Sequence, residues 1–124
     1  LEILPLDQDH GFSRSLGFRA GPAACSNDLV GMPEQSFAQL EGLALWIVDA
    51  LRETPHPTHA HLGRALEWIA RLKPAHAVLT NMHIDLDYAT LKAKLPAGGE
   101  PPYDGWSADC PILVELRRAI YRFP

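Results

Sequence analysis

The order of apolar and polar positions predicts strands and helices that alternate along most of the chain. Three short strands separated by turns come first, and Pro33 then opens a helix, because proline suits a first helical turn. Two continuous apolar runs follow, and such runs are typical of strands buried on both faces of a sheet. The predicted strands cover residues 1–6, 15–20, 23–26, 43–48 and 75–80.

An amphipathic helix is predicted between the two buried strands. Its apolar residues recur with helical spacing, and Thr58 is placed to cap its first turn. The strand, helix and strand over residues 43–80 predict a parallel pair joined by a right-handed crossover. A further short helix is expected over residues 87–95. The residues of the helical stripe are Leu62, Ala65, Leu66 and Ile69.

Composition limits the chain to one domain and to a few kinds of function. Its 124 residues, 47% of them hydrophobic, suffice for one sizeable core but not for two ordinary domains. A net charge of −4 argues against a nucleic-acid partner, since affinity for polyphosphate comes largely from clustered Lys and Arg. No apolar run approaches the ~18–20 residues that cross a bilayer, and no secretory leader is evident. We therefore expect a soluble, cytoplasmic protein without a membrane partner.

Histidine and aspartate residues stand just after the predicted strands. In open α/β sheets, ligands gather beyond the carboxyl ends of strands. Asp28, Asp49, His59 and His83 all occupy such positions. Neutral imidazole is a common ligand for zinc, manganese or iron, and a carboxylate can bridge two ions, so His83, Asp28 and His10 form a sensible ligand set. The alternative for His83 is a surface imidazole beside an aspartate, and for Asp49 the favoured interpretation is a helix-loop or turn anchor.

Three histidines, His56, His59 and His61, stand around the predicted start of the crossover helix. A helix N-terminus attracts anions through its free N–H groups and its dipole. His59 at this position could touch a phosphate oxygen or donate a proton to a leaving group. The alternative is that these histidines only solvate the helix start, and this interpretation is favoured for His56 and His61.

Six motifs follow one another in order along the chain. They are Pro5-Leu6 with His10, Ser15-Leu16-Gly17-Phe18, Ser26-Asn27-Asp28, Val48-Asp49-Ala50-Leu51 with Pro57-Thr58-His59, Leu79-Thr80 with His83, and Tyr103-Asp104-Gly105. In this order they resemble the later motifs of the metallo-β-lactamase superfamily, most closely the branch of the phosphoribosyl cyclic phosphate phosphodiesterases. Two departures stand out. The early His-x-His-x-Asp-His signature is not found in this chain, and Asn81 stands where the pattern has a histidine directly after threonine.

The resemblance implies an α/β fold, namely half of the family's αββα sandwich, with a mixed sheet and helices on one face. It assigns residues 1–105 to the C-terminal half of a metallo-β-lactamase-like domain and leaves residues 106–124 as a divergent tail. The pattern of the tail fits either a strand at 111–116 or a helix at 114–121. An unpartnered half would expose the sheet face that the other half covers. We therefore expect a homodimer or a separate N-terminal half as the partner.

The activity implied by the resemblance is metal-dependent hydrolysis of a small phosphodiester. His10, Asp28 and His83 would bind zinc or manganese, and His59 and Asp28 would be catalytic. The alternative is a non-catalytic dimerising or metal-binding module derived from the same fold. A β-lactamase is the third choice, because the histidine-rich helix start and the loop at 80–88 resemble the phosphodiesterase branch.

Overall fold

Six strands form one mixed sheet in the computed structural model, which describes residues 2–103 and 105–107. The strands are β1 (Ile3–Asp9), β2 (Arg14–Ala20), β3 (Ala23–Ser26), β4 (Leu45–Asp49), β5 (His76–Thr80) and β6 (Gly99–Glu100), and the helices are α1 (Glu34–Gln39), α2 (Leu62–Leu72) and α3 (Tyr88–Lys94). The strands lie side by side in chain order. The predicted class, a mixed sheet with helices, is confirmed.

The sheet changes from antiparallel to parallel at β3. The first three strands form two antiparallel pairs, and β3 to β6 pair in parallel. The predicted parallel pairing of β4 with β5 is confirmed, with Leu45 opposite His76 and Asp49 opposite Thr80. All carboxyl ends of β3, β4 and β5 therefore lie at one edge of the sheet. The turn between β1 and β2 lies at the same edge, because β2 runs against β3 and β1 runs against β2.

Two predicted boundaries differ from the structure by three residues. β1 continues to Asp9 instead of ending at residue 6, because Pro5 lies in an edge strand, where a missing N–H is tolerated. α2 begins at Leu62 with His61 at its N-cap, so the predicted cap at Thr58 is wrong. The loop before α2 is instead held by backbone bonds from Ala60 N to Leu29 O (2.6 Å) and from Leu51 N to Ala60 O (2.9 Å).

The helices cover one face of the sheet. Leu6, Trp46, Val48 and Leu79 point to this face and are fully buried. Trp46 also donates its indole N–H to Ser26 Oγ at 3.0 Å. The helices contribute Phe37, Leu40, Leu62, Ala65, Trp68, Ile69 and Leu91 to the same core.

The opposite face of the sheet, which we call the open face, is apolar but poorly covered. Its residues include Ile3, Phe18, Ala20, Ala23, Cys25, Leu45 and Ile47, which line one apolar groove. Ile3 is 57% exposed and Phe18 is 49% exposed. Trp106 packs beside Ile47 against the small buried cluster of Ala23, Leu45 and Val78 on this face. The open face is therefore an apolar surface that this part of the chain covers only at its margin.

The divergent tail falls almost entirely outside the described residues. The strand predicted at 111–116 and the helix predicted at 114–121 both lie there. Within the described part of the chain, no helix combines the length and the apolar character that a membrane span requires.

Candidate functional site

Polar side chains gather at the carboxyl edge of the sheet. Asp49 is the last residue of β4, Asp28 follows β3, Asn81 follows β5, and His10 begins the turn after β1. His59 reaches the same place from the loop before α2. The fold therefore brings together residues that are up to about seventy positions apart in the sequence, as expected for a ligand site at strand ends.

Asp49 and His59 form the buried centre of this site. The Asp49 side chain is fully buried, and its Oδ2 atom lies 2.8 Å from His59 Nδ1. The same Oδ2 accepts a bond from Leu29 N at 3.3 Å, whereas Oδ1 is buried without a hydrogen-bond partner. Burial raises the pKa of Asp49, and the hydrogen bond from His59 opposes that rise. Asp49 thus orients an imidazole and also anchors the loop after β3 through Leu29 N.

Asp28 faces this pair from the end of the neighbouring strand. Its Oδ1 atom lies 3.9 Å from His59 Nδ1, and the side chain is about half exposed. Asn81 Nδ2 donates to Asp28 Oδ1 at 3.1 Å and lies 3.3 Å from His59 Nδ1. Both Asp28 and Asn81 have left-handed backbones, with φ of 54° and 63°. Aspartate and asparagine adopt this conformation more readily than most residues.

His10 completes the site from the β1–β2 turn. Its ring lies edge-on to that of His59, with 5.0 Å between ring centroids. His10 Nδ1 lies 2.8 Å from the carbonyl oxygen of Thr58. Because a carbonyl only accepts, Nδ1 carries the hydrogen and Nε2 keeps its lone pair. This is the arrangement in which a histidine is oriented for metal binding by a backbone carbonyl.

Gly11 allows the β1–β2 turn to approach the loop that carries His59. Its φ is 74°, and a Cβ at this position would lie 2.4 Å from the carbonyl oxygen of Pro57. Any side chain here would push the turn away from residues 57–59. Gly11 therefore sets the distance between the His10 and His59 rings.

His56 lies beside the site, whereas the ring of His83 contacts its own loop. The His56 ring is 5.3 Å from that of His59, and its Nδ1 accepts a bond from Thr58 N at 3.3 Å. Desolvation, followed by the charge of Arg52, lowers the pKa of His56. His83 is exposed, and its Nδ1 lies 3.0 Å from Asp85 Oδ2. Of the predicted site residues, the structure thus brings together His10, Asp28 and His59, and leaves His83 outside this group.

Sequence reasoning missed the roles of Asp49 and Asn81. Asp49 carried one signal, its place at the end of a buried strand, but a turn residue gives the same signal. Asn81 stands directly after Thr80, where the family pattern has a histidine. The departure from the pattern therefore lay at a position that contributes to the site. The contact of Asn81 with Asp28 spans 53 residues. No local pattern reports such a contact.

The side chains at this edge suit a divalent cation. One ligand atom from each of Asp28, Asp49 and His59 lies within 4.8 Å of the others. Among the described residues, the buried side-chain atoms without a partner are all acceptor oxygens, on Gln8, Asn27 and Asp49. Carboxylate oxygen and imidazole nitrogen are ligands for zinc and manganese. These residue types therefore fit such an ion, with the half-exposed carboxylate of Asp28 and the free Nε2 of His10, whose ring borders this group, as the available ligands.

Fold and site together define an α/β protein with a mixed sheet and a carboxylate–histidine cluster at its carboxyl edge. The chain belongs to the β-lactamase superfamily domain family, whose model matches residues 1–84. It is also similar to a solved structure described as a new diphosphatase from the PhnP family, with 35% identity and a TM-score of 0.82. That match covers 84% of this chain and 41% of the other chain, so this chain spans about two-fifths of that relative. A comparison with curated proteins found no significant match.

Proposed function

We propose that this chain is the C-terminal half of a metal-dependent hydrolase that cleaves small phosphodiesters. The observation that carries the proposal is the cluster of His10, Asp28, Asp49 and His59 at one edge of the sheet. The similarity to a diphosphatase of the PhnP family supports phosphorus–oxygen chemistry. The cluster has ligands for a cation and an oriented imidazole side by side.

His10 and Asp28 would hold the metal, zinc or manganese. His10 has its Nδ1 bound to a carbonyl and its Nε2 free, and Asp28 has a half-exposed carboxylate. His83 would be a third ligand once its ring leaves Asp85. When bound, the metal polarises the phosphoryl group and lowers the pKa of a water molecule.

Asp49 would set the tautomer and the orientation of His59. Because Asp49 Oδ2 accepts from His59 Nδ1 at 2.8 Å, the Nε2 atom is left to exchange a proton with the substrate. In its doubly protonated form, His59 would donate the Nε2 proton to the leaving oxygen of the phosphodiester and keep the Nδ1 hydrogen on Asp49. Asn81 would steady the carboxylate of Asp28 through the 3.1 Å hydrogen bond.

A separate N-terminal half is the partner that we propose for the open face. Alternation along β4 puts Asp49 on the same side of the sheet as Leu45 and Ile47. A layer packed on the open face would therefore end beside the candidate site. It could supply further ligands for the metal held by Asp28. The PhnP-family relative is more than twice as long as the part that this chain covers, which leaves enough chain for such a layer. A homodimer is the competing occupant.

The first experiment measures metal content and mass in solution on the purified chain offered Zn²⁺ or Mn²⁺. About one ion per chain, lost in His10→Ala and Asp28→Asn but kept in His76→Ala, supports the proposal. His76 is the matched control, because it is an exposed histidine at the opposite end of β5. A chain that stays metal-free overturns the proposal. A stable dimer would mean that a second copy of the chain, and not a separate N-terminal half, covers the open face.

The second experiment compares substrates on the metal-loaded protein. We expect hydrolysis of bis(p-nitrophenyl) phosphate. If the protein cleaves a diphosphate ester in preference to this compound, the proposed substrate class changes from a phosphodiester to a diphosphate, as the description of the PhnP-family relative suggests. Activity confined to a chromogenic β-lactam would make the chain a β-lactamase. Metal binding without any hydrolysis would mean that this chain alone is a metal-binding module and that any hydrolysis needs the N-terminal half.

A further inference from the structure

Gln8 is a polar side chain at a core position of β1. Leu6 and Gln8 are the two buried residues of this strand, and Gln8 is 1% exposed. Gly17 makes room for it, since a Cβ there would lie 2.3 Å from Gln8 Oε1. A buried amide is unfavourable unless it is hydrogen-bonded, and in Gln8 the Nε2 atom is bonded whereas Oε1 has no partner among the described residues.

The amide nitrogen of Gln8 is bonded towards Asp28. Nε2 donates to Ser15 Oγ at 3.1 Å and to the carbonyl oxygen of Asn27 at 2.9 Å. Ser15, which is the cross-strand partner of Gln8, donates its hydroxyl to the carbonyl oxygen of Asp28 at 2.6 Å. These two carbonyls belong to the peptide groups on either side of the Asp28 Cα atom. Gln8 therefore holds one of them directly and the other through Ser15.

The backbone of Asp28 needs this support. Its φ of 54° lies in the left-handed region, which residues other than glycine rarely occupy. The direction of the Cα–Cβ bond follows from this conformation, and it carries the carboxylate to within 3.1 Å of Asn81 and 3.9 Å of His59. If Asp28 relaxed to an extended conformation, its carboxylate would leave the site.

We propose that Gln8 is a positioning residue for Asp28. It holds the peptide groups on both sides of Asp28 in the left-handed conformation and so directs the carboxylate into the cation site. Gln8 itself touches neither metal nor substrate. The inference rests on the proposed function for what Asp28 binds, whereas the effect on the Asp28 backbone stands independently of it.

The test compares two variants that break this link at different points. Gln8→Met keeps the length of the side chain and removes its donors, and Ser15→Ala removes the relay hydroxyl, which Ser15→Thr restores. Solution NMR couplings and chemical shifts of Asp28 report its φ, and isothermal titration with Zn²⁺ reports affinity. We expect Gln8→Met to shift Asp28 out of the left-handed region and to weaken Zn²⁺ binding by about tenfold. Ser15→Ala should shift both readouts in the same direction and Ser15→Thr should restore them.

Ser36→Ala is the matched control. Ser36 is also buried, and its hydroxyl donates to the carbonyl oxygen of Asp7 at 2.8 Å, on the same strand as Gln8 but away from Asp28. It should change neither readout at Asp28. Unchanged Asp28 couplings in Gln8→Met overturn the proposal, and if that variant does not fold, unchanged couplings in Ser15→Ala do so. A wild-type chain that binds no Zn²⁺ overturns the proposed function, and the couplings alone then decide the role of Gln8.

Discussion

The two faces of the sheet are built from similar apolar residues but are covered very differently. Along β4, Trp46 and Val48 are fully buried under the helices, whereas Ile47, on the other side of the same strand, lines the open groove. Phe37 on the covered side is 6% exposed and Phe18 on the open side is 49% exposed. The difference indicates that the helix-covered face supplies most of the stability of the described part of the chain, in which the open face remains largely exposed.

The candidate site lies where the two faces meet. Asp49 has the strand position of the open face but is buried by His59 and by the loop after β3. The same edge contains both left-handed strand-end residues, Asp28 and Asn81. Strained backbone and buried charge are unfavourable for stability, and both concentrate here instead of in the helix-covered core.

The largest effect on stability is expected from Trp46→Ala, which removes a core side chain from the covered face. The substitution creates a cavity in the core and should lower the free energy of unfolding by about 3–5 kcal/mol. Urea denaturation followed by circular dichroism measures it. Trp46→Phe is the milder comparison, since it keeps an aromatic ring but loses part of the indole and its bond to Ser26, at a cost of about 1–3 kcal/mol. A Trp46→Ala variant as stable as wild type would contradict the role given to this face.

Asp28→Asn tests the edge between the faces. Asparagine keeps the size of the side chain and tolerates the left-handed backbone, but it has no charge with which to bind a cation. We expect Zn²⁺ affinity to fall by about 100-fold or more, the upper end of the losses seen when outer-shell partners are removed. Isothermal titration measures it. Asp7→Asn, an exposed carboxylate on β1 paired with Arg14, should bind Zn²⁺ like wild type.

Asp49→Asn tests the buried carboxyl group through pH. Burial raises the pKa of Asp49, so the folded protein binds this proton more tightly than the unfolded chain does. The contribution of Asp49 to stability is therefore complete below the pKa of the unfolded chain, about 3.8, and is lost as the pH rises through the pKa of the folded protein. The free energy of unfolding of wild type minus that of Asp49→Asn should fall as the pH rises between these two pKa values. Denaturation at several pH values measures it, and a constant or rising difference would contradict the burial argument.

Phe18→Ser should have the smallest effect on the isolated chain. Because Phe18 is half exposed, its loss should change the free energy of unfolding by less than about 1 kcal/mol. The same change at Phe37, in the covered core, should cost about 3 kcal/mol or more. Urea denaturation of the two variants gives the comparison. Equal losses at the two phenylalanines would mean that the faces do not differ as described.

The strands and the crossover helix were predictable because periodicity is local. The apolar runs at 43–48 and 75–80 predicted β4 and β5, and the stripe from Leu62 to Ile69 predicted α2. The start of α2 was not predictable in the same way. Thr58 is a good capping residue, but the bond from Ala60 N to Leu29 O holds the loop in a different path, and this partner lies thirty-one positions away.

The candidate site was predictable in its residue types and its place, but not in its contacts. Strand-end reasoning and the family resemblance singled out His10, Asp28 and His59, which the structure brings together. His83 has the same chemistry and also follows a strand, yet its ring bonds Asp85 in its own loop. A local hydrogen bond of this kind competes with binding at a distant site. The spacing of the residues in the sequence does not show which of the two contacts forms.

The sequence by itself determined the mixed α/β class, the order of its elements and the gathering of histidine and aspartate at strand ends, because hydrophobic period and chain direction decide these features. Only the tertiary structure decided that Asp49 orients His59, that Asn81 holds Asp28, and that Gln8 is bonded to the carbonyl of Asn27, next to Asp28. These are hydrogen bonds between atoms 10 to 53 residues apart. Their geometry is fixed by the register of the strands and by the close approach of loops, which no single segment specifies.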